Sequence, residues 1–491
     1  MPPAVPSRSV GFALTMLTTG LFLHCTTATE HDITALQHTT EPYVFGPRSG
    51  DSVEAVRGQF IVPENRDNPD SRPITLTYVR FPSTIPDPGS PIVYLAGGPG
   101  GSGISTARGR RFPLFMALRE IGDVIAFDQR GTGESNEIPE CEPGHDLPLD
   151  QPASLDVAVQ LMGEAAAECV TFWRDAGVDL SGYNTMESAR DLDALRRVLG
   201  EDQVSLWGIS YGTHLALAAV KVMEDRIDRM VLASAEGLHQ TVKLPAETDA
   251  YFDRLQDALN QHPVARQQFP DIKAMMRRVL DRLEDSPVTV ELRSSTDSIT
   301  LAFGADEVRL VTGFSISDPD NAINALRVYQ AADAGDFTPM ARAVYRFLRS
   351  EPISFSGMSE AMDVASGISA GRLRLVEEQA RSALLGNVLN YPMPHLRSAF
   401  GPLDLGDEFR RAPESDIPTL LLSGTLDGRT YPVSQLEAVA GLSNLTHVLI
   451  HNAGHNLFMV SPEVTDVILS FMRGEEVARR EISVELPDLG R

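Results

Sequence analysis

With 491 residues, 42% of them apolar, the chain can bury a large core, enough for one sizeable domain carrying an insertion or for two domains, and overall disorder is excluded. Its 67 acidic residues against 42 basic ones leave a formal charge of −25, which opposes binding to nucleic-acid phosphates and to anionic lipid surfaces. No internal repeat is visible, and the Cys and His residues are too scattered along the chain to suggest a metal site.

At the start, Arg8 precedes the apolar run Val10 to Leu23, and Thr26-Thr27-Ala28 offers small residues for cleavage, so residues 1–28 read as an export signal. The run is shorter than the about 20 residues that cross a bilayer, and no membrane span is expected. A lipid anchor on Cys25 is the alternative. The bulky His24 stands where such a signal has a small residue, so a secreted or periplasmic protein without an anchor is preferred. Removal of the signal leaves Cys141 and Cys169, which in an oxidising compartment either form a disulfide, the preferred reading, or stay as two buried thiols.

Residues 29–50 are polar and read as an extended lead-in. Strand-like runs follow at Arg57 to Val62, Ile74 to Phe81, Ile92 to Ala96 and Val124 to Phe127, the last two continuously apolar as in strands buried on both faces. Helical pattern occupies Asp156 to Arg174 and Ser188 to Leu199, the second carrying Leu192, Leu195, Val198 and Leu199 at helical spacing and closed by Gly200. A strand at Val204 to Ile209, a helix, and a strand at Met230 to Ala233 come next.

From Gly237 to residue 405 the pattern is helical, with stretches at Ala250 to Leu259, Ile272 to Leu283 and Ala322 to Ala332 and one strand pair, Val288 to Leu292 with Ser298 to Ala302. Alternation then resumes with a strand at Thr419 to Ser423, a helix at Pro432 to Ala440 and a strand at Thr446 to Ile450. The chain is therefore expected to be an α/β protein, a mostly parallel sheet formed by residues 45–236 and 406–480 with a helical insertion at 237–405. Reactive groups in such a sheet come from loops at the carboxyl ends of strands. The insertion enters after one of these and is expected to cap the site; an independent helical domain packed elsewhere is the alternative.

Gly208-Ile209-Ser210-Tyr211-Gly212 joins the strand at Val204 to a helix rich in Ala and Leu, the layout of a nucleophile elbow, in which small residues two before and two after the serine let the backbones pass. An ordinary turn serine is the plain alternative, since the five-residue pattern alone is weak. A serine hydroxyl needs a base to take its proton and a third group to orient that base. Asp427 follows the strand at Thr419 and is the acid; His455 follows the strand at Thr446, after Gly454, and is the base. Among competitors, His451 lies nearer the strand end, His214 sits one helical turn beyond Ser210, and Asp416 precedes its strand.

A tetrahedral intermediate needs two backbone donors, one from the residue after the nucleophile and one from a loop after an earlier strand. Tyr211 supplies the first. Gly97-Gly98-Pro99-Gly100-Gly101-Ser102-Gly103 supplies the second, with Gly98 chosen because Pro99 has no N–H. The loop matches neither phosphate-binding pattern, having no Gly-Lys-Ser/Thr and no Gly-x-Gly-x-x-Gly opening a helix.

These stretches, together with Asp128-Gln129-Arg130-Gly131-Thr132-Gly133-Glu134-Ser135, resemble the proline iminopeptidase and tripeptidyl aminopeptidase family of α/β-hydrolase serine peptidases. The resemblance implies an α/β-hydrolase fold, Ser210, Asp427 and His455 as triad, Gly98 and Tyr211 as oxyanion hole, and an architectural role for the Asp128 to Ser135 turn. It also strengthens the Cys141–Cys169 bridge, because secreted members tend to carry a cysteine pair there. The chain departs from the pattern at Ala96, where members often have His, and in lacking a further cysteine late in the insertion. Such peptidases hold the substrate's α-amine with acidic groups, and Glu236, at the entrance to the insertion, is the candidate.

The resulting expectation is an exported aminopeptidase acting on small peptides without metal or organic cofactor. A carboxylesterase with the same triad is the alternative, and a catalytically silent binding protein of the same fold is a third reading. Nothing in the sequence indicates an oligomeric state.

Overall fold

A computed structural model describes residues 37–293 and 298–487, so the expected signal and Cys25 lie outside the described residues. Twelve strands are defined: β1 His38–Phe45, β2 Val53–Pro63, β3 Pro73–Phe81, β4 Gly89–Leu95, β5 Gly122–Asp128, β6 Val204–Ile209, β7 Ile227–Ala233, β8 Val288–Arg293, β9 Ser298–Phe303, β10 Thr419–Gly424, β11 Leu445–His451 and β12 Glu481–Ser483. Ten of them form one sheet in the order β1-β2-β3-β5-β4-β6-β7-β10-β11-β12, and β8 and β9 pair by themselves. The first strands are antiparallel through β3 with β5; every pairing from β5 to β12 is parallel.

The strand order reverses at β4, which lies between β5 and β6, so the chain leaves the carboxyl ends of β4 and β6 in opposite directions. That divergence opens a crevice where such sheets bind ligands. The loop at Gly97 and the elbow serine both occupy it. One face of the sheet is covered by helices Gly103–Ala107, Phe112–Leu118 and Pro462–Met472 over a core that includes Tyr94, Phe115, Trp207 and Ile468. Trp207 is fully buried, with ring centroids 4.7 Å from Tyr94, 4.8 Å from Phe115 and 5.2 Å from Phe458, which ties the elbow strand to the segment after His455.

The 29–50 segment is not merely a lead-in: its second half is β1, paired residue by residue with β2 from His38↔Phe60 to Phe45↔Val53. Only Phe45 of β1 is buried, so neither face carries the alternation that marks a strand. Helix Thr185–Leu199 is capped by the Asn184 side chain and ends on left-handed Gly200, as the pattern predicts.

Between β7 and β10 the described chain is helical apart from β8 and β9, and its principal core runs through Tyr251, Val279, Leu326 and Ala341 to Leu426 and Tyr431 beside Asp427. Cys141 and Cys169 are joined in a disulfide, and Cys141 also exchanges two backbone hydrogen bonds with Phe355. Helix Leu155–Asp175 is thus tethered to the strap that leads into helix Met358–Ser366. No helix among the described residues is long and apolar enough to cross a membrane.

Candidate active site

Ser210 ends β6 and precedes helix Tyr211–Met223 with φ 54° and ψ −129°, a left-handed conformation that a non-glycine residue adopts at a cost of about 1–3 kcal/mol. Two glycines make the turn possible. A Cβ added at Gly208 would lie 2.7 Å from Gly212 O, and one at Gly212 would lie 2.1 Å from Leu95 O, so neither position can hold a side chain. The Ser210 N–H donates to Ala233 O at 3.1 Å, and its carbonyl accepts from Thr213 N at 2.8 Å and Thr213 Oγ1 at 2.6 Å. The Ser210 hydroxyl is half-buried and has no hydrogen-bond partner among the described residues.

Asp427 lies after β10 with no exposed side-chain surface, and His455 lies beyond β11. His455 Nδ1 sits 3.0 Å from Asp427 Oδ2 and 3.1 Å from Oδ1. A carboxylate only accepts, so Nδ1 carries the proton and Nε2 keeps its lone pair, the tautomer a general base requires. Burial by itself would push Asp427 up; the His455 imidazole and donors from Thr430 and Arg429 outweigh it and hold the carboxyl below its ordinary range. Four such bonds are formed: Arg429 N at 2.8 Å and Thr430 N at 2.9 Å to Oδ1, Thr430 Oγ1 at 2.8 Å and Gln435 Nε2 at 3.2 Å to Oδ2.

The backbone around the imidazole is held from both sides. Ser234, at the end of β7, donates its hydroxyl to His455 O at 2.8 Å, and His455 N donates to Ser317 O at 2.8 Å. Because Ser210 N bonds Ala233 O, the serine strand end reaches the histidine through Ala233 and Ser234. The structure thus joins Asp427 and His455 directly and sets Ser210 on the same sheet edge.

The loop after β4 runs against the elbow: a Cβ at Gly97 would lie 3.0 Å from both Ile209 O and Ser210 Cβ. Gly98 has φ 127° and Gly100 φ 102°, conformations that glycine alone adopts readily. Among the described residues no backbone carbonyl accepts from Gly98 N–H or from Tyr211 N–H, the latter being in the first turn of its helix. Asp128 braces the far end of this loop, accepting from Ser102 Oγ at 2.7 Å, Ile104 N at 3.0 Å and Glu134 N at 2.7 Å. Arg130 is fully buried and clamps Asp191 with bonds of 2.7 and 2.8 Å, away from the crevice.

Glu236 is buried and pairs with Lys243 Nζ at 2.7 Å; burial opposes its ionisation, but the Lys243 ammonium outweighs it and holds the carboxyl below its usual range. Asp363, on helix Met358–Ser366, is a group that the sequence did not single out. Its carboxyl has no ion-pair or hydrogen-bond partner among the described residues and is pushed up to about 8 by burial and by nearby Glu236. The same helix reaches both halves of the oxyanion region. Ser359 Oγ donates to Pro99 O at 3.0 Å, and Met362 Sδ accepts from Tyr211 OH at 3.2 Å.

The competing residues fall elsewhere. His214 is buried with its Nδ1 3.2 Å from Gly237 O and Nε2 3.1 Å from Ser366 Oγ, and burial lowers it to about 4, so it is a neutral packing residue. His451 faces Glu481 at 3.4 Å, and Asp416 is exposed before β10 begins.

A sequence model of the α/β hydrolase fold matches residues 90–462. The serine protease Hip1 of Mycobacterium tuberculosis (strain ATCC 25618 / H37Rv) is 33% identical over 188 residues, 37% of this chain and 36% of that protein. The tripeptidyl aminopeptidase of Streptomyces lividans is 29% identical over 198 residues, 36% of this chain and 34% of its own. The chain thus spans about a third of the length of the curated relatives it matches. Among solved structures, the α/β hydrolase MGS-M2 from a deep-sea metagenome library aligns with 82% of this chain and 96% of its own at 16% identity and a TM-score of 0.37.

Proposed function

The chain belongs to the α/β-hydrolase fold family, and on that premise we propose that it is an exported serine hydrolase that releases N-terminal residues from peptides. The observation that carries this reading is the buried Asp427 carboxylate on His455 Nδ1, on the same sheet edge as an elbow serine linked to it through Ala233 and Ser234. In this mechanism His455 Nε2 takes the Ser210 proton as Oγ attacks the scissile carbonyl, and Asp427 stabilises the imidazolium. The Tyr211 and Gly98 N–H groups receive the negative oxygen, each worth about 3–4 kcal/mol of barrier. His455 then protonates the leaving amine, and water attacks the acyl-enzyme by the reverse sequence.

Residues 237–405 form the cap in this reading, which the bonds from Ser359 to Pro99 and from His455 to Ser317 support. In this reading the Glu236 carboxylate supplies the negative charge that a free α-ammonium would meet, with Asp363, a neutral carboxyl below about pH 8, as a further acceptor near it. The relatives named serine protease and tripeptidyl aminopeptidase favour peptides over esters as substrates. Export follows from the apolar run after Arg8, and the Cys141–Cys169 bridge supports it, since disulfides persist in oxidising compartments.

The test compares aminoacyl and tripeptidyl anilides, with free or blocked amines, against nitrophenyl esters, using the native chain and Ser210→Ala. The native chain is expected to cleave free-amine anilides and to lose turnover in the variant while its melting temperature is kept. Equal cleavage of blocked substrates, or of esters alone, would replace the aminopeptidase by an esterase, and residual turnover in Ser210→Ala would remove the nucleophile.

A further inference from the structure

A second cavity of about 460 Å³ lies within the helical stretch, away from Ser210, between helices Ala305–Ser315, Pro319–Asp333 and Thr338–Val344. Its size falls in the range of small-ligand pockets, about 300–1,000 Å³. Val311, Ala325, Val328 and Val344 give it an apolar interior. Phe314 and Phe347, 45% and 50% exposed, stack at its rim with centroids 6.3 Å apart. The wall that carries Phe347 is a π-helical turn, Tyr345–Arg349, an arrangement that recurs at functional sites.

Arg342 and Arg346 are the only charged residues lining the cavity among those described, and both are exposed. In a chain of net charge −25, many arginines are drawn into carboxylate pairs, yet among the described residues neither of these makes a close ion pair; Arg346 lies 5.7 Å over the Phe347 ring. An apolar chamber with two exposed guanidinium groups at its edge, of which Arg342 also acts on the Asp336 carboxylate, is complementary to an amphiphile with an anionic head.

The cavity also has a mechanical route to the reaction centre. Two of its walls are joined by residues 316–318. Ser317 O accepts from His455 N, the Asp318 carboxylate accepts from Asn456 N at 3.1 Å and Asn456 Nδ2 at 2.8 Å, and a Cβ at Gly428 would lie 2.2 Å from Ile316 O. Spreading the walls therefore pulls on the segments that carry both His455 and Asp427.

We propose that this cavity binds a small organic carboxylate with an apolar chain, the tail among Val311, Ala325 and Val328 and the head on Arg342 and Arg346, and that its occupancy is coupled to His455 through residues 316–318. The binding half is independent of the peptidase reading.

Calorimetric titration of the whole chain with decanoate, beside decanol and decyltrimethylammonium, tests it. One saturable decanoate site is expected, weakened about tenfold in Arg342→Ala/Arg346→Ala and lost in Ala325→Trp, with decanol weaker by a similar factor. No saturable heat, equal binding of the cationic amphiphile, or undiminished binding in the double arginine variant overturns the site. That variant alters only exposed side chains, so it remains informative if Ala325→Trp does not fold.

For the coupling, saturating decanoate is expected to change kcat on a free-amine anilide by about twofold or more. If no anilide is turned over, the rate at which a fluorophosphonate labels Ser210 is read instead, so loss of the peptidase reading and loss of the coupling are told apart. Saturable binding that leaves both rates unchanged overturns the coupling.

Discussion

Asp427→Asn probes the tautomer argument, because it removes one charge and one acceptor while keeping the shape of the side chain. In the native protein Oδ1 faces two backbone N–H groups, those of Arg429 and Thr430, which cannot turn away. The amide oxygen must take that position, which aims the amide NH2 at His455 Nδ1, 3.0 Å from the atom it replaces. An N–H there can only donate, which favours the tautomer with the proton on Nε2 and no lone pair facing Ser210, against the amide oxygen that stays 3.1 Å from Nδ1. A change of this kind costs about a thousandfold to ten-thousandfold in kcat. The NH2 group also meets Gln435 Nε2, another donor, and a buried polar group left unpaired costs about 1–3 kcal/mol of stability.

The pH dependence of that stability loss follows from the sign of the Asp427 shift. Its folded carboxyl is held down, so its contribution is complete above the unfolded value of about 3.9 and vanishes as pH falls through the lower folded value. The melting-temperature gap between native chain and variant should be constant at neutral pH and close in acid. Steady-state kinetics on a free-amine anilide and melting curves from neutral to acidic pH make the test. A variant with kcat within about tenfold of the native chain would refute the tautomer argument.

Gly212→Ala places a methyl 2.1 Å from Leu95 O; the elbow must shift, and a loss of about 1–3 kcal/mol in denaturant midpoint together with most of the turnover is expected. Asp363, pushed up to about 8, keeps its proton in the folded chain after the unfolded carboxyl has lost it, so stability falls between about pH 4 and pH 8. Asp363→Asn should therefore gain melting temperature over the native chain as pH rises through that window, and a gain independent of pH would contradict the shift. Reducing the Cys141–Cys169 bridge should lower the unfolding free energy by about 3 kcal/mol, read as a shift in denaturant midpoint with and without reductant.

Features were legible in the sequence where one local requirement excluded alternatives. Gly208 and Gly212 flank Ser210 because two backbones pass within van der Waals reach, and the continuous apolar runs in β4 and β5 reflect burial on both faces. Asp427 and His455 followed from their position after late strands. What stayed hidden lacked a local signature: β1 is almost wholly exposed, and β12 has three residues. Helix Pro462–Met472 was missed although Val464, Val467, Ile468 and Phe471 recur at helical spacing after a Ser461 cap and Pro462. Ser234 and Ser317 matter through partners far along the chain, and Asp363 through burial near Glu236, and no spacing rule reaches them. Glu236 was visible as a carboxylate just after β7, but Lys243, which neutralises part of its charge, comes into range only when the intervening turn is folded.

The strained residues explain why the site needs those distant partners. Among the described residues, the three non-glycine positions with positive φ are Ser210, Ser234 and Asn452, at the carboxyl ends of β6, β7 and β11. Each conformation costs about 1–3 kcal/mol and persists only where surrounding bonds over-determine it. Ser210 is tied to Ala233 O, Ser234 to His455 O, and Asn452 to Thr425 Oγ1 at 2.9 Å and Val484 O at 3.0 Å. These bonds run from strand end to strand end, so relaxing any one residue displaces its neighbour's partner. The fold therefore stores its strain in the same cross-links that hold the serine and histidine segments in register, which places rigidity at the carboxyl ends of β6, β7 and β11.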